Sequence, residues 1–348
     1  MAQLRKKYIL DEFVIVNNYE GEVNFYNDTN CNGSSSHNDK STSKCIYCPG
    51  NEYLTKPAVL ALVQREGMMQ RLADSEDSYI SDWCVRVVES SEPLCSISSN
   101  EPYNSKLFSG EPAYGYHYIL VASREHCKPS SISVEQWANV LTALQDRVKW
   151  LYAQRGVGYV AIYMDYTARS DWHPHLNLLT LPLIPPLIKR EVEATSDYVN
   201  DNSSCPLCSI VNVEGKSDRQ LVVTDNFVAF CPWAPTHSYE FWIVPRKHST
   251  QLIRLTQKEI DDLALMLKIT LAGLHSTLGS VKFGLVFRTS PEKSRKQLHW
   301  HIEVYPKIKE SSALEYGFGI NSTLVPEKAA ERLSYAMRRE FARSIGVI

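Results

Sequence analysis

Two Cys-x-x-Cys pairs, Cys45/Cys48 and Cys205/Cys208, constrain this chain more than any other feature of its sequence. A two-residue gap makes a tight knuckle, which can place two sulfurs on one metal ion. Each pair follows a polar stretch, residues 27–44 in the first case and 193–204 in the second. The first stretch reads as a surface loop rich in Asn, Ser, Asp and Thr. The chain carries nine cysteines and no apolar N-terminal run of the kind a signal peptide needs. In such a chain these spacings favour metal ligation over disulfides. A redox reading is weaker, because neither pair opens a helix in the thioredoxin pattern that lowers a thiol pKa. Cys31, Cys84, Cys95, Cys127 and Cys231 have no evident partner and are expected to be structural.

The order of elements after the two pairs is the same. In the first half, strand-like runs at 85–88 and 118–121 lead to His126. A helix is expected over 134–154, a strand over 158–164, and then come His173-Pro174-His175 and an apolar run. In the second half, strand-like runs at 226–230 and 240–244 lead to His248. A helix over 257–277 and a strand over 282–287 follow, and then His299-Trp300-His301. This points to an internal duplication, divided into halves 1–195 and 196–348. A last helix is expected over 326–345, with Pro326 near its first turn and Gly346 just past its end.

The ligand sets that follow are Cys45, Cys48, His126 and His173, and Cys205, Cys208, His248 and His299. His117 rivals His126 as third ligand, but His126 has a counterpart in His248, just past the strand and before the helix. Four protein ligands around each ion would leave no open position, as in structural zinc sites. Residues two apart in a strand share a face, so His173 and His175 can look into one site, although Pro174 argues for an edge strand or a turn. One imidazole can then hold a metal while the other stays free as a nucleophile toward phosphorus. The plainer alternative is that both are ligands or buried, hydrogen-bonded side chains. Ser170 and Asn177 are the nearest candidate donors to phosphoryl oxygens.

Composition narrows the classes of partner. A formal charge of −2 gives no global field for nucleic acid or a membrane, and short basic clusters such as the one at 293–296 read as solvated turns. No apolar run approaches the ~20 residues that span a bilayer. The expectation is a cytoplasmic protein with no nucleic-acid and no membrane partner.

Several stretches resemble the galactose-1-phosphate uridylyltransferase family, within the histidine-triad superfamily. They are Lys44-Cys45-Ile46-Tyr47-Cys48-Pro49-Gly50-Asn51-Glu52, Trp83-Cys84-Val85-Arg86-Val87, His173-Pro174-His175 and Phe241-Trp242-Ile243-Val244-Pro245-Arg246-Lys247-His248. The most specific is Leu298-His299-Trp300-His301-Ile302-Glu303-Val304-Tyr305-Pro306, followed by Glu315-Tyr316-Gly317-Phe318-Gly319-Ile320-Asn321. The paired zinc plan is similar to that of ADP-glucose phosphorylase. The resemblance implies an α+β fold of two histidine-triad-like halves, each an antiparallel sheet with packed helices, usually assembled as a homodimer. It implies a ping-pong nucleotidyltransferase of galactose metabolism. His175 would attack the α-phosphorus of a nucleoside-diphosphate sugar such as UDP-glucose, and a second sugar 1-phosphate would take the nucleotide. Ser170, Asn177 and Arg86 would then contact substrate, and Glu315 and Asn321 would meet sugar hydroxyls. An ADP-glucose phosphorylase, a dinucleoside polyphosphate phosphorylase or hydrolase, and a non-catalytic zinc protein that binds nucleotide are the alternatives.

The chain departs from the family at several points. Asn177 stands where the family usually has Gln, one methylene longer, and Ser90 and Ser91 stand where it often has Asn. Residues 165–169, Asp-Tyr-Thr-Ala-Arg, replace a segment that usually contains Asn-x-Gly. A carboxylate at Asp165 would disfavour an anionic substrate unless it points away or is paired with Arg169.

Overall fold

The computed structural model describes residues 2–7, 12–16, 45–97, 103–105, 108–292 and 297–347. The expected loop at 27–44, Cys31 and the basic cluster at 293–296 lie outside the described residues. In chain order the first elements are β1 (Gln3–Lys6), β2 (Phe13–Val16), β3 (Leu60–Arg65), β4 (Met68–Leu72), β5 (Trp83–Glu89), β6 (Tyr103–Asn104), β7 (Ser109–Pro112) and β8 (His117–Val121). Then come α1 (Val134–Tyr152), β9 (Tyr159–Tyr166), β10 (His175–Leu181), α2 (Pro186–Asn202) and α3 (Pro206–Glu214). The chain continues with β11 (Gln220–Val223), β12 (Phe227–Phe230), β13 (Phe241–Pro245), α4 (Gln257–Leu278) and β14 (Phe283–Arg288). It ends with β15 (His301–Pro306), α5 (Ala313–Phe318) and α6 (Pro326–Ser344).

The three long helices fall where the apolar spacing puts them, and local chemistry explains their ends. Ser133 caps α1 by accepting from the Gln136 amide. Thr256 and Glu259 cap α4 reciprocally, in a capping box, and α4 stops at Gly279, whose φ of +70° suits glycine. Pro326 opens α6 at a position where no backbone N–H is needed. The polar stretch before Cys205 is helical, because α2 runs through residues 193–202. Most of its charged residues face solvent, while Ile188, Val192 and Thr195 form its buried side and Glu191 is turned toward Arg288.

Eleven strands form one antiparallel sheet in the order β11-β12-β13-β15-β14-β9-β10-β8-β5-β3-β4. A smaller antiparallel sheet, β2-β1-β7-β6, is not hydrogen-bonded into it but packs against β9 and β10 through Leu4, Phe13 and Ile15. The large sheet is continuous across the middle of the chain because β9 pairs with β14, with Tyr163 opposite Val286 and Ile162 opposite Phe287. Outward from that junction the order is the same on both sides: β10, β8 and β5 on one, β15, β13 and β12 on the other. Of the two settings that Pro174 suggested, an edge strand is not the one found, since Pro174 lies in the irregular segment that enters an interior strand. His173 and Pro174 precede β10, which is hydrogen-bonded on both sides, and the Pro174 carbonyl accepts from the Ala122 amide.

The core lies between this sheet and α1, α4 and α6. Leu176 and Leu178 of β10, Ile302 and Val304 of β15, and the apolar faces of α1 and α4 belong to one buried cluster. The period-2 alternation of a strand sends His175 and Asn177, and likewise His301 and Glu303, to the opposite face. The helical layer is tight at Gly273 on α4, where an added Cβ would come within 2.4 Å of Met337 Cγ and 3.0 Å of its Cα. Gly273→Val should therefore force α6 away and destabilise the protein by about 1–3 kcal/mol. An unchanged denaturant midpoint would show that this helix pair is looser than the contact implies.

Candidate active site and metal centres

The first four-residue cluster assembles as the spacing implied. Cys45, Cys48, His126 and His173 lie with their ligand atoms within 4.8 Å of one another. His173 Nδ1 is 3.6 Å from both Cys45 Sγ and Cys48 Sγ, and His126 Nδ1 is 3.4 Å from Cys48 Sγ. A tetrahedral ion with zinc-like bonds to sulfur and nitrogen has S···N edges of about 3.6 Å, so the donors fit a metal of that size. The tautomers fit too. His173 Nε2 donates to the Ser123 carbonyl at 2.8 Å and His126 Nε2 to the Ser170 carbonyl at 2.9 Å, which turns both Nδ1 lone pairs toward the sulfurs. Burial holds His173 down at about 4, so the ring is neutral. Burial, and then the neighbouring Cys45 thiol, push Cys48 up to about 12. A cation is what such a thiol needs to ionise, and loading one should release protons.

Cys205, Cys208, His248 and His299 form the second cluster. Cys208 Sγ lies 3.5 Å from His248 Nδ1 and 3.4 Å from His299 Nδ1, and Cys205 Sγ lies 4.0 Å from His299 Nδ1. This pair does open a helix: Cys205 is the N-cap of α3, with Pro206 in its first turn. That corrects the expectation from sequence but does not revive the redox reading, since burial and the Cys205 thiol push Cys208 up, to about 11. His117 belongs to neither cluster. The eight described cysteines are all free thiols.

His175 opens β10 beside the first cluster. Its Nδ1 donates to the His173 carbonyl at 2.6 Å, so its Nε2 carries the free lone pair. Burial lowers its pKa below the ordinary histidine value, which keeps that lone pair available at neutral pH. Two aromatic rings flank the imidazole, Trp172 at 5.3 Å and Tyr47 at 5.8 Å between centroids. Burial raises Tyr47 to about 12, so it stays a neutral phenol. Two residues further along the same face, Asn177 Oδ1 meets His117 Nε2 at 3.1 Å. Sequence reading found His175 and Asn177 but gave no role here to Tyr47, Trp172 or His117. Tyr47 sits inside the Cys-x-x-Cys knuckle, which was its only available signal.

The remaining candidates are placed as follows. Ser170 contributes its carbonyl to His126, and its side chain is exposed. Arg86 is only 2% exposed, and its Nη2 lies 2.6 Å from Asp74 Oδ2. Ser90 is buried, and its Oγ accepts from the Glu92 amide, whereas Ser91 is exposed. Glu315 completes the capping box of α5 and pairs with Lys309, and Asn321 is exposed beyond that helix. Asp165 finds a cation other than Arg169. Its Oδ1 lies 3.4 Å from Lys307 Nζ, while Arg169 pairs with Asp171.

The second His-x-His is built differently. His301 Nδ1 donates to the His299 carbonyl at 3.2 Å, as in the first half. Its Nε2, however, lies 3.4 Å from Glu303, Trp242 stacks on the ring at 4.9 Å, and the residue is 4% exposed. Glu303 also takes hydrogen bonds from Arg288 and Tyr305. His301 is thus closed in, whereas His175 is partly open.

No family model matches the chain. ADP-glucose phosphorylase from Arabidopsis thaliana is 26% identical over 305 residues, covering 83% of this chain and 81% of the relative. Galactose-1-phosphate uridylyltransferase from Thermotoga maritima is 24% identical over 241 residues, or 65% of this chain and 76% of the relative. Among solved structures, a uridylyltransferase superposes with a TM-score of 0.78 at 22% identity, over 97% of this chain and 99% of the other. The ADP-glucose phosphorylase of A. thaliana with bound ADP-glucose gives 0.69 at 22% identity, over 83% and 88%. The resemblance read from the motifs is borne out, and the fold is that of these proteins. Among the described residues no helix is long and apolar enough to cross a membrane.

Two outcomes follow from this geometry. Loaded protein should hold two equivalents of zinc. A chelator should strip the second cluster first, since His248 is exposed while His126 and His173 are held by carbonyls; simultaneous loss in a chelator titration would contradict this ordering. Ala168, on the loop that carries Ser170 to His126, has a φ of +59°. Left-handed backbone costs a non-glycine residue on the order of 1 kcal/mol, so Ala168→Gly should raise the denaturant midpoint. A lower midpoint would mean that packing, and not strain, governs that position.

Proposed function

We propose that this protein is a nucleotidyltransferase resembling the hexose-1-phosphate uridylyltransferases, and that it works through a nucleotidyl-His175 intermediate. One observation carries the reading above the others: His175 Nδ1 is fixed on the His173 carbonyl, which leaves a neutral Nε2 in a partly open position. In the first half-reaction Nε2 attacks the α-phosphorus of a nucleoside-diphosphate sugar. An N–P bond forms, the P–O bond to the sugar 1-phosphate breaks, and that sugar phosphate leaves with the electron pair. The His173 carbonyl stabilises the positive charge left on the imidazole by accepting its Nδ1–H. In the second half-reaction an incoming sugar 1-phosphate attacks phosphorus, the N–P bond breaks, and neutral His175 returns.

In this reading Asn177 and Ser170 supply donors to the phosphoryl oxygens, and Glu315 and Asn321 meet sugar hydroxyls. Arg86 acts from beneath, because its guanidinium is committed to Asp74. The eight thiol and imidazole ligands are read as two structural zinc sites, with all four positions around each filled by protein. The matching strand orders on either side of the β9–β14 junction support an internal duplication of a histidine-triad-like half. We read the assembly as a homodimer, for which the exposed Tyr316 and Phe318 of α5 are candidate contacts.

A second reading keeps the same intermediate but lets inorganic phosphate resolve it, which makes the protein an ADP-glucose phosphorylase. It is favoured by the Arabidopsis relative, matched over more of this chain than the Thermotoga transferase. Intact-mass measurement decides between them. Protein incubated with UDP-glucose or with ADP-glucose, without acceptor, should gain one nucleoside monophosphate from one of the two, and His175→Ala should gain none. Discharge by phosphate, and not by a sugar 1-phosphate, would select the phosphorylase. No adduct with either donor, in fully zinc-loaded protein that binds nucleotide, would overturn the covalent mechanism.

A further inference from the structure

We infer that His117 is a positioning residue for the phosphoryl group: it fixes Asn177 so that the amide NH2, and not the carbonyl, is presented on the His175 face of the sheet. The inference rests on the nucleotide-site reading above but does not require the covalent step.

Two hydrogen bonds to the His117 ring fix the polarity. The Leu94 amide donates to His117 Nδ1 at 3.3 Å, so that nitrogen carries a lone pair and no proton. In a neutral imidazole the proton is then on Nε2, and burial of His117, 8% exposed, lowers its pKa and favours the neutral ring. His117 Nε2 therefore donates to Asn177, at 3.1 Å, and the atom it meets must be the carbonyl oxygen. The orientation of an amide side chain is ordinarily ambiguous; here the Leu94 amide removes the ambiguity. Asn177 Nδ2 must then point away from His117, and it makes no hydrogen bond to another described residue.

The register puts these groups on one face. Val121 of β8 lies opposite His175 and Ile119 opposite Asn177, and His117 is the next same-face residue along β8. His117 is itself locked by backbone on two sides, since its carbonyl accepts from the Ser90 amide and its ring accepts from the Leu94 amide. The segment after β5 thereby sets the donor polarity of a side chain on β10. Without His117, Asn177 can rotate and offer its carbonyl oxygen to an anionic phosphoryl group, which repels it.

A double-mutant cycle on nucleotide binding tests this. Affinities of the zinc-loaded full chain for UMP and for AMP are measured calorimetrically for wild type, His117→Leu, Asn177→Ala and the pair. Each single change is expected to weaken binding of the preferred nucleotide about 5- to 20-fold, and the pair no more than Asn177→Ala alone. His117→Gln, whose amide can both accept from Leu94 and donate to Asn177, should restore binding to within about twofold of wild type. Losses that multiply in the pair, or no loss in His117→Leu, would overturn the inference. Should the leucine variant not fold, nitrogen NMR of the wild type decides: a proton on His117 Nδ1, or an Asn177 side-chain amide that does not shift on nucleotide addition, overturns it as well. A coupled cycle in a protein that never forms an adduct would sink the covalent mechanism and uphold the role of His117.

Discussion

The site depends on His173 serving two purposes at once. Its ring faces the thiols of Cys45 and Cys48, with Nε2 anchored on the Ser123 carbonyl, and its own carbonyl accepts the Nδ1–H of His175. Whatever fixes the ring therefore fixes the peptide group that sets the tautomer of His175. A metal held by Cys45, Cys48, His126 and His173 would tie a knuckle, the segment after β8 and the entry to β10 into one unit. The two imidazoles of His173-Pro174-His175 can thus differ in role: one ring faces the thiols, and the other has its Nε2 free.

The sheet accounts for the rest of the placement. Because strand side chains alternate, Leu176 and Leu178 enter the shared core while His175 and Asn177 face away from the helices. A one-residue slip in β10 would bury the imidazole and expose the leucines, and the pairing of β10 with both β8 and β9 prevents that slip. This part was legible in the sequence: the helices at 134, 257 and 326, the eight ligands, and the common face of residues 175 and 177 all come from spacing. What was not legible required tertiary information. Polar residues 193–202 sit on a helix because Ile188, Val192 and Thr195 give α2 a buried side, a stripe too sparse to stand out. The partners of Arg86 and Asp165 could not be inferred, since Asp74 and Lys307 are distant in sequence or reached only through the sheet. His117 was read as a rival ligand because spacing alone cannot tell a histidine facing a metal from one facing an amide on the neighbouring strand of the sheet.

The two halves share their strand order but not their chemistry, and the difference is traceable to a few side chains. After His175 the same-face residue is Asn177, neutral and short. After His301 it is Glu303, whose carboxylate approaches the imidazole and is itself held by Arg288 and Tyr305. Burial alone would raise Glu303, but the hydrogen bond with His301 and the charge of Arg288 bring it to about 2. A buried carboxylate so placed needs its cationic and hydrogen-bonding partners, because breaking such a cluster leaves an uncompensated charge. His301 is thereby enclosed beside the Glu303–Arg288–Tyr305 cluster, with Trp242 stacked on its ring.

The electrostatics of the first site show a different solution. Burial lowers His173, His175 and His117 and raises Tyr47, which favours the neutral form of each. The nearby charges are cancelled locally: Asp165 by Lys307, and Asp171 by Arg169. A site built this way does not attract a phosphoryl group by net charge, and it depends instead on neutral donors held in fixed directions, whose alignment costs nothing when charge develops in the transition state. Direction must then do what charge does elsewhere. That requirement explains why so much backbone, the carbonyls of Ser123, Ser170 and His173 and the amide of Leu94, is spent on orienting imidazole rings.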